Sequence, residues 1–186
     1  MKKYNRLILS LVLLLAVVLL TACQQDERVV LNVYNWGDYI DESVIQEFEE
    51  KYNIRVNYDT FSTNEDMYVK IKAGGADYDV LFPSDYMIER MIKEDMLHKL
   101  DLTNIPNYQY IEDQFKNLEY DPQNEYSVPY MWGTVGILYN KTMVEEPVTS
   151  WQILWDQKYS KQILMLDSQR DSIGITLKML GFDMNT

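Results

Sequence analysis

Apolar and polar residues are distributed along the chain in three distinct patterns. The first is a nearly unbroken apolar run from Leu7 to Leu20, preceded by Lys2, Lys3 and Arg6 and followed by Thr21-Ala22-Cys23. A basic start, an apolar stretch of about 7–15 residues and a small residue before the cut predict a secretory leader. A bilayer span needs about 20 residues. The second pattern is β-branched or alternating. Val29–Tyr34 predicts a first strand, Ile54–Thr60 a second, and Asp79–Phe82 a short buried third, stopped by Pro83. The third pattern repeats every three or four positions and predicts helices. Val44, Ile45, Phe48 and Tyr52 follow Asp41, a candidate cap. Met67 and Ile71 follow Ser62-Thr63-Asn64-Glu65, which reads as a capping box, and Gly74-Gly75 closes that helix. Met87, Ile88, Met91 and Ile92 complete the set. Strand and helix in alternation predict an α/β fold with a mostly parallel sheet and right-handed crossovers.

Past Leu100 the pattern loosens. A helix is expected near Tyr110–Leu118, strands at Tyr126–Tyr130, Val135–Asn140 and Ile163–Leu166, and a helix from Ser172 through Ile173, Leu177 and Leu180. The sequence stops soon after that helix, at Thr186, which suggests a truncation.

Charge narrows the functional classes. The formal net charge is −12, and removal of residues 1–22, which carry three positive charges and no negative ones, takes it to −15. Nucleic-acid binding depends on neutralising phosphates with Lys and Arg, so that partner is excluded. A field of this sign favours cationic ligands, although excess carboxylates also serve solubility alone. Cys23 is the single cysteine, so no internal disulfide forms, and His98 is the single histidine. Neither a Ser/His/Asp nor a Cys/His catalytic arrangement can be assembled from them. Two carboxylates in one cleft, such as Asp38 and Asp171, leave a hydrolase as an alternative. No metal cluster is expected, Gly74-Gly75 lacks the ending of a phosphate loop, and no cofactor is implied.

Cys23 stands at the cut itself, and the segment resembles the lipobox of bacterial lipoproteins. That resemblance implies a leader over 1–22, acylation of Cys23, and a short polar tether over 23–28. Several acyl chains on one residue give stable anchoring. The mature chain is then expected outside the cytoplasmic membrane, held on its outer face or in the periplasmic space.

In open α/β sheets, ligands bind at the carboxyl ends of strands. Three such ends can be read: Tyr34-Asn35-Trp36-Gly37-Asp38-Tyr39, Phe82-Pro83-Ser84-Asp85-Tyr86 and Leu166-Asp167-Ser168-Gln169-Arg170-Asp171. Each carries carboxylates, and the first two carry aromatics beside them. Carboxylates hold ammonium heads by charge-assisted hydrogen bonds, and ring faces hold methylenes and cations. Core packing is the commoner role for any single aromatic, so the recurrence matters more than any one residue.

With YNWGDY, Phe61–Glu65, Pro83–Tyr86, Tyr126–Gly133 (YSVPYMWG) and Thr149-Ser150-Trp151 in place, the chain resembles the spermidine/putrescine-binding proteins of bacterial polyamine ABC transporters. The match runs from about Leu31 to Thr186. It implies a two-lobed periplasmic-binding-protein fold of type II, with a first lobe over 29–132 nearly complete and a second lobe started over 133–186 and truncated. It also implies capture of a polyamine by a monomer and delivery to the permease subunits of an importer, with no catalysis. Trp36 and Tyr39 match aromatics that line the family's site, and Asp38 matches an acidic residue that holds an amine. Gly37 stands where a relative can carry Thr. Ser84 and Tyr86 match two further site residues. Asp171 matches a carboxylate directed at an ammonium group, and Ser168 falls where some members carry Asp. Arg170 matches an arginine of structural role. A different small cationic or organic solute is the alternative ligand.

Overall fold

The computed structural model describes Tyr4, residues 26–75 and residues 77–182. Apart from Tyr4, the expected leader and Cys23 lie outside the described residues. The described chain divides into two units, one of residues 26–60 and 77–81, the other of residues 61–75 and 82–182.

In the first unit, β1 (Val29–Trp36) is the middle strand of a sheet ordered β2-β1-β3, with β2 at Ile54–Phe61 and β3 at Val80–Leu81. β1 and β3 run parallel, Val33 opposite Val80 and Tyr34 opposite Leu81. Val33, Tyr34 and Asn35 are consecutive and all buried, as expected of a strand covered on both faces. The Tyr34 ring stacks on Tyr78 with centroids 4.5 Å apart. β3 is shorter than the predicted Asp79–Phe82. Asp79 enters the register partly through its side chain, whose carboxylate takes the Asn32 N–H at 2.7 Å while its own N–H donates to the Asn32 carbonyl at 2.9 Å. Helix α1 (Glu42–Tyr52) opens on Asp41, whose carboxylate accepts the Ser43 N–H. It ends at Asn53 in the left-handed region at φ 51°, which asparagine tolerates better than most residues. Its apolar face is not a core face: Val44, Phe48 and Tyr52 are exposed, Phe48 and Tyr52 touching each other at 4.6 Å between centroids.

The second unit holds α2 (Asn64–Lys72), α3 (Asp85–Lys93) and α4 (Gln169–Met179), with short 3-10 turns between α3 and α4. Met67 and Tyr68 of α2, Met87 and Met91 of α3 and Ile175 of α4 are buried. Glu94 ties the ends of α2 and α3 together. Its carboxylate accepts from Lys72 Nζ at 2.7 Å, the Tyr68 hydroxyl at 2.7 Å and Arg90 Nε at 3.0 Å. The Lys72 ammonium first, then Tyr68 and Arg90, hold that carboxyl down at about 2. The cap of α2 differs from the expected box: Thr63, not Ser62, is the N-cap, and its hydroxyl accepts the Asp66 N–H at 3.1 Å. Thr63→Ala is therefore expected to destabilise the fold by about 1 kcal/mol. Ser62→Ala should change it little, and denaturant titration of both variants distinguishes the two registers.

Several predicted elements are absent. The expected helix at 110–118 is replaced by 3-10 turns at Pro106–Tyr110 and Asp113–Phe115, and Asn117 at φ 56° stops further helix. Buried Asn124 accounts for this, since its Oδ1 accepts the Asn117 N–H and the Tyr108 hydroxyl, both at 2.7 Å. Tyr126–Tyr130 is not a strand. The buried Asp121 carboxylate takes the N–H groups of Glu125, Tyr126 and Ser127 at 3.1, 3.0 and 2.9 Å, which a ladder would need, and Pro129 has none to give. Val135–Asn140 and Ile163–Leu166 also lack a hydrogen-bonded neighbour among the described strands, and Leu138 and Leu164 are 100% and 96% exposed. The last helix begins at Gln169 rather than Ser172, because the Ser168 hydroxyl caps it by accepting the Asp171 N–H.

Candidate functional site

Each unit carries its own group of predicted site residues. In the first, β1 ends at Trp36 and the chain turns through Gly37, Asp38 and Tyr39 before Asp41 caps α1. The turn brings Trp36 and Tyr39 together, ring centroids 5.7 Å apart and planes 30° off parallel. Trp36 is half-buried, while Gly37, Asp38 and Tyr39 are exposed. The Tyr58 hydroxyl reaches the Trp36 carbonyl at 3.5 Å, holding the strand end from β2. A Cβ added at Gly37 would meet nothing within 4 Å, so packing does not require glycine there. The turn thus carries an exposed carboxylate and a pair of neighbouring aromatic rings, a chemistry suited to an organic cation.

In the second unit, Ser84 and Tyr86 stand at the entry to α3. Ser84 occupies the N-cap position, yet its side chain makes no capping bond. The Tyr86 hydroxyl donates to Glu65 Oε1 at 3.1 Å, and burial pushes its phenol up. Arg170 lies over the Tyr86 ring at 4.3 Å, which brings the first turn of α4 onto this group. Asp171 is half-buried in that first turn, and Ser168 is committed to the cap. A cleft of about 390 Å³ beside Tyr86 is lined by Glu65, Met87, Glu89, Arg90, Lys93 and Arg170. Its two carboxylates and three cations favour neither ligand charge.

Sequence reasoning missed Asn64 and Glu65 as neighbours of Ser84 and Tyr86, because the 62–65 stretch carries a plain helix-start signal. Among the described residues, no group of three His, Cys, Asp or Glu side chains could hold a metal ion. No described helix is long and apolar enough to cross a membrane.

Residues 43–185 match the family model of bacterial extracellular solute-binding proteins. The chain is 35% identical over 189 residues to the spermidine/putrescine-binding periplasmic protein of Escherichia coli K12, covering all of this chain and 53% of that protein. It is 34% identical to the putrescine-binding periplasmic protein SpuD of Pseudomonas aeruginosa, of which it covers 54%. Among solved structures, a spermidine/putrescine ABC transporter protein of Listeria monocytogenes, titled as putative, superposes with a TM-score of 0.80 at 44% identity, over 84% of this chain and 49% of that one. The Tp0655 lipoprotein of Treponema pallidum does so with a TM-score of 0.79 at 39% identity, over 84% and 50%. The chain spans about half the length of the curated relatives it matches. These superpositions bear out the expected α/β fold of the periplasmic-binding-protein kind.

Proposed function

The chain belongs to the bacterial extracellular solute-binding proteins, and from that premise we propose that it captures polyamines outside the cytoplasmic membrane for an ABC importer. The observation that carries this reading is the end of β1, where the turn that pairs the rings of Trp36 and Tyr39 also exposes the Asp38 carboxylate. An ammonium head pairs with the carboxylate while the rings cover the methylene chain. In the second unit Ser84, Tyr86 and Asp171 carry oxygen acceptors of their own, and in the first Gly37 contributes backbone only. The acidic surface raises the local concentration of such a cation. The names of the relatives, several of them spermidine/putrescine-binding, support the substrate class. Residues 29–132 and 133–186 belong in this reading to two lobes of a monomer that presents its ligand to permease subunits.

Calorimetry on the full-length protein tests it. Spermidine or putrescine should bind with measurable heat, and maltose should not. Maltose binding with no polyamine signal overturns the proposal.

The lipid anchor belongs to the same proposal. It rests on the apolar leader, on Cys23 at its end and on the lipoprotein title of the Treponema relative. Cys23→Ser should abolish partition of the protein into the detergent phase with membranes. A variant that still partitions like wild type would place the anchor elsewhere.

A further inference from the structure

Ser84 and Tyr86 share a single anchor. Asn64, the first residue of α2, is 4% exposed, and its amide reaches both residues across the entry to α3. Its Oδ1 accepts the Ser84 N–H at 3.0 Å, and its Nδ2 donates to Ser84 Oγ at 2.9 Å and to the Tyr86 hydroxyl at 3.0 Å. The amide orientation follows from chemistry, since a backbone N–H can only donate and so must face the oxygen. Both amide hydrogens are left for the two hydroxyl oxygens.

We propose that Asn64 is a positioning residue for ligand capture, one buried amide fixing the spacing and direction of the Ser84 and Tyr86 hydroxyl oxygens. The inference rests on the polyamine reading above and deepens it. A serine at an N-cap ordinarily turns its oxygen onto the helix N–H groups. Here that bond is missing, and the oxygen is held by Asn64 instead. The Tyr86 proton is committed to Glu65, so its oxygen, like that of Ser84, has one lone pair on Asn64 and one remaining for an N–H donor. The Arg170 guanidinium over the ring and the amide at the hydroxyl fix Tyr86 from two directions. An alkyl ammonium needs acceptors of this kind at set distances, and two free hydroxyl rotors would supply them only at an entropic cost.

The test uses the full-length protein with spermidine and putrescine as probes in calorimetry. Asn64→Ala should weaken binding by at least about tenfold. In a Ser84→Ala/Tyr86→Phe background, the same change should cost less than about twofold further, because the groups it positions are gone. An equal loss in both backgrounds, or a lowered Tm with unchanged affinity, means a merely structural asparagine and overturns the proposal. Should the alanine variant not fold, Asn64→Gln keeps the amide but displaces it by one methylene. Loss of affinity in that variant supports positioning, and wild-type affinity overturns it. Should wild type bind neither polyamine, the substrate reading fails by itself, and a crystal structure of the variant decides the inference. Hydroxyl oxygens of Ser84 and Tyr86 displaced there sustain it, and unmoved ones overturn it.

Discussion

Asp38→Asn in the full-length protein is expected to weaken spermidine binding by at least about tenfold, one decade being 1.4 kcal/mol. The substitution keeps the shape of the side chain and removes its charge. Removing one member of a desolvated, hydrogen-bonded charge pair typically costs about 2–5 kcal/mol, most of it from the charge left without a partner. Asp38 is exposed in the turn after β1, so in the proposed reading its charge is desolvated only on ligand capture. Folding should accordingly be unchanged, because no core packing depends on the residue. The matched control is Glu47→Gln, an exposed carboxylate on α1 in the same unit. Asp101, another carboxylate of the chain, is unsuitable as a control, because it caps a 3-10 turn and accepts from the Thr103 N–H, the Thr103 hydroxyl and the Asn104 amide. Equal small effects at Asp38 and Glu47 would show that bulk negative charge attracts the ligand and that the assigned site is wrong.

The largest loss of stability is expected at Asp121, a residue outside the proposed ligand site. The residue is 3% exposed, and its carboxylate is satisfied by the loop that follows it. Oδ1 accepts the Glu125 N–H, and Oδ2 accepts the N–H groups of Tyr126 and Ser127 together with the Ser127 hydroxyl at 2.8 Å. Asp121→Ala leaves three backbone donors without an acceptor. Each orphaned group costs roughly 1–3 kcal/mol when water cannot reach it. With partial hydration of the half-buried loop, a total of about 3–5 kcal/mol is expected, a large share of the roughly 5–15 kcal/mol by which domains are stable. Asp121→Asn should cost less, since one oxygen remains on the more heavily used side. Chemical denaturation followed by circular dichroism measures both. Asp113→Ala, whose carboxylate is 99% exposed, is the control and should lie within about 0.5 kcal/mol of wild type. An Asp121→Ala variant as stable as that control would refute the structural role.

Helices α1 to α4 were legible in the sequence to within a few residues, unlike the helix expected at 110–118, and the reason is local. Asp41 before α1, the 62–65 stretch before α2 and the Met87/Met91 pair on α3 are signals contained within one or two turns. The one-residue error at the cap of α2 came from two adjacent hydroxyl residues, Ser62 and Thr63, each able to serve. The strand ends bearing Trp36, Asp38 and Tyr39 were legible too, because an aromatic and acidic cluster behind a β-branched run is itself a short-range signal. Val135–Asn140 and Ile163–Leu166, by contrast, join no ladder among the described strands, with Leu138 and Leu164 exposed, and Asp121 overrides a third predicted strand.

By itself, then, the sequence determined what neighbouring residues can settle: helices α1 to α4, the central strand, the acidic charge and the residue types at the strand ends. A helix closes its own hydrogen bonds within four residues, so its caps and periodicity suffice to predict it. Tertiary structure decided which extended segments became strands, since a strand's N–H and C=O groups are satisfied only by a partner remote in sequence. It also decided what the polar side chains do. Ser84 has the sequence signature of a helix cap, but an amide twenty residues away holds its hydroxyl instead. Arg170 matches an arginine of structural role, and the fold supplies its partner, the Tyr86 ring, eighty-four positions distant in the chain. Side-chain partners at such separations leave no periodicity, and only the folded chain brings them together.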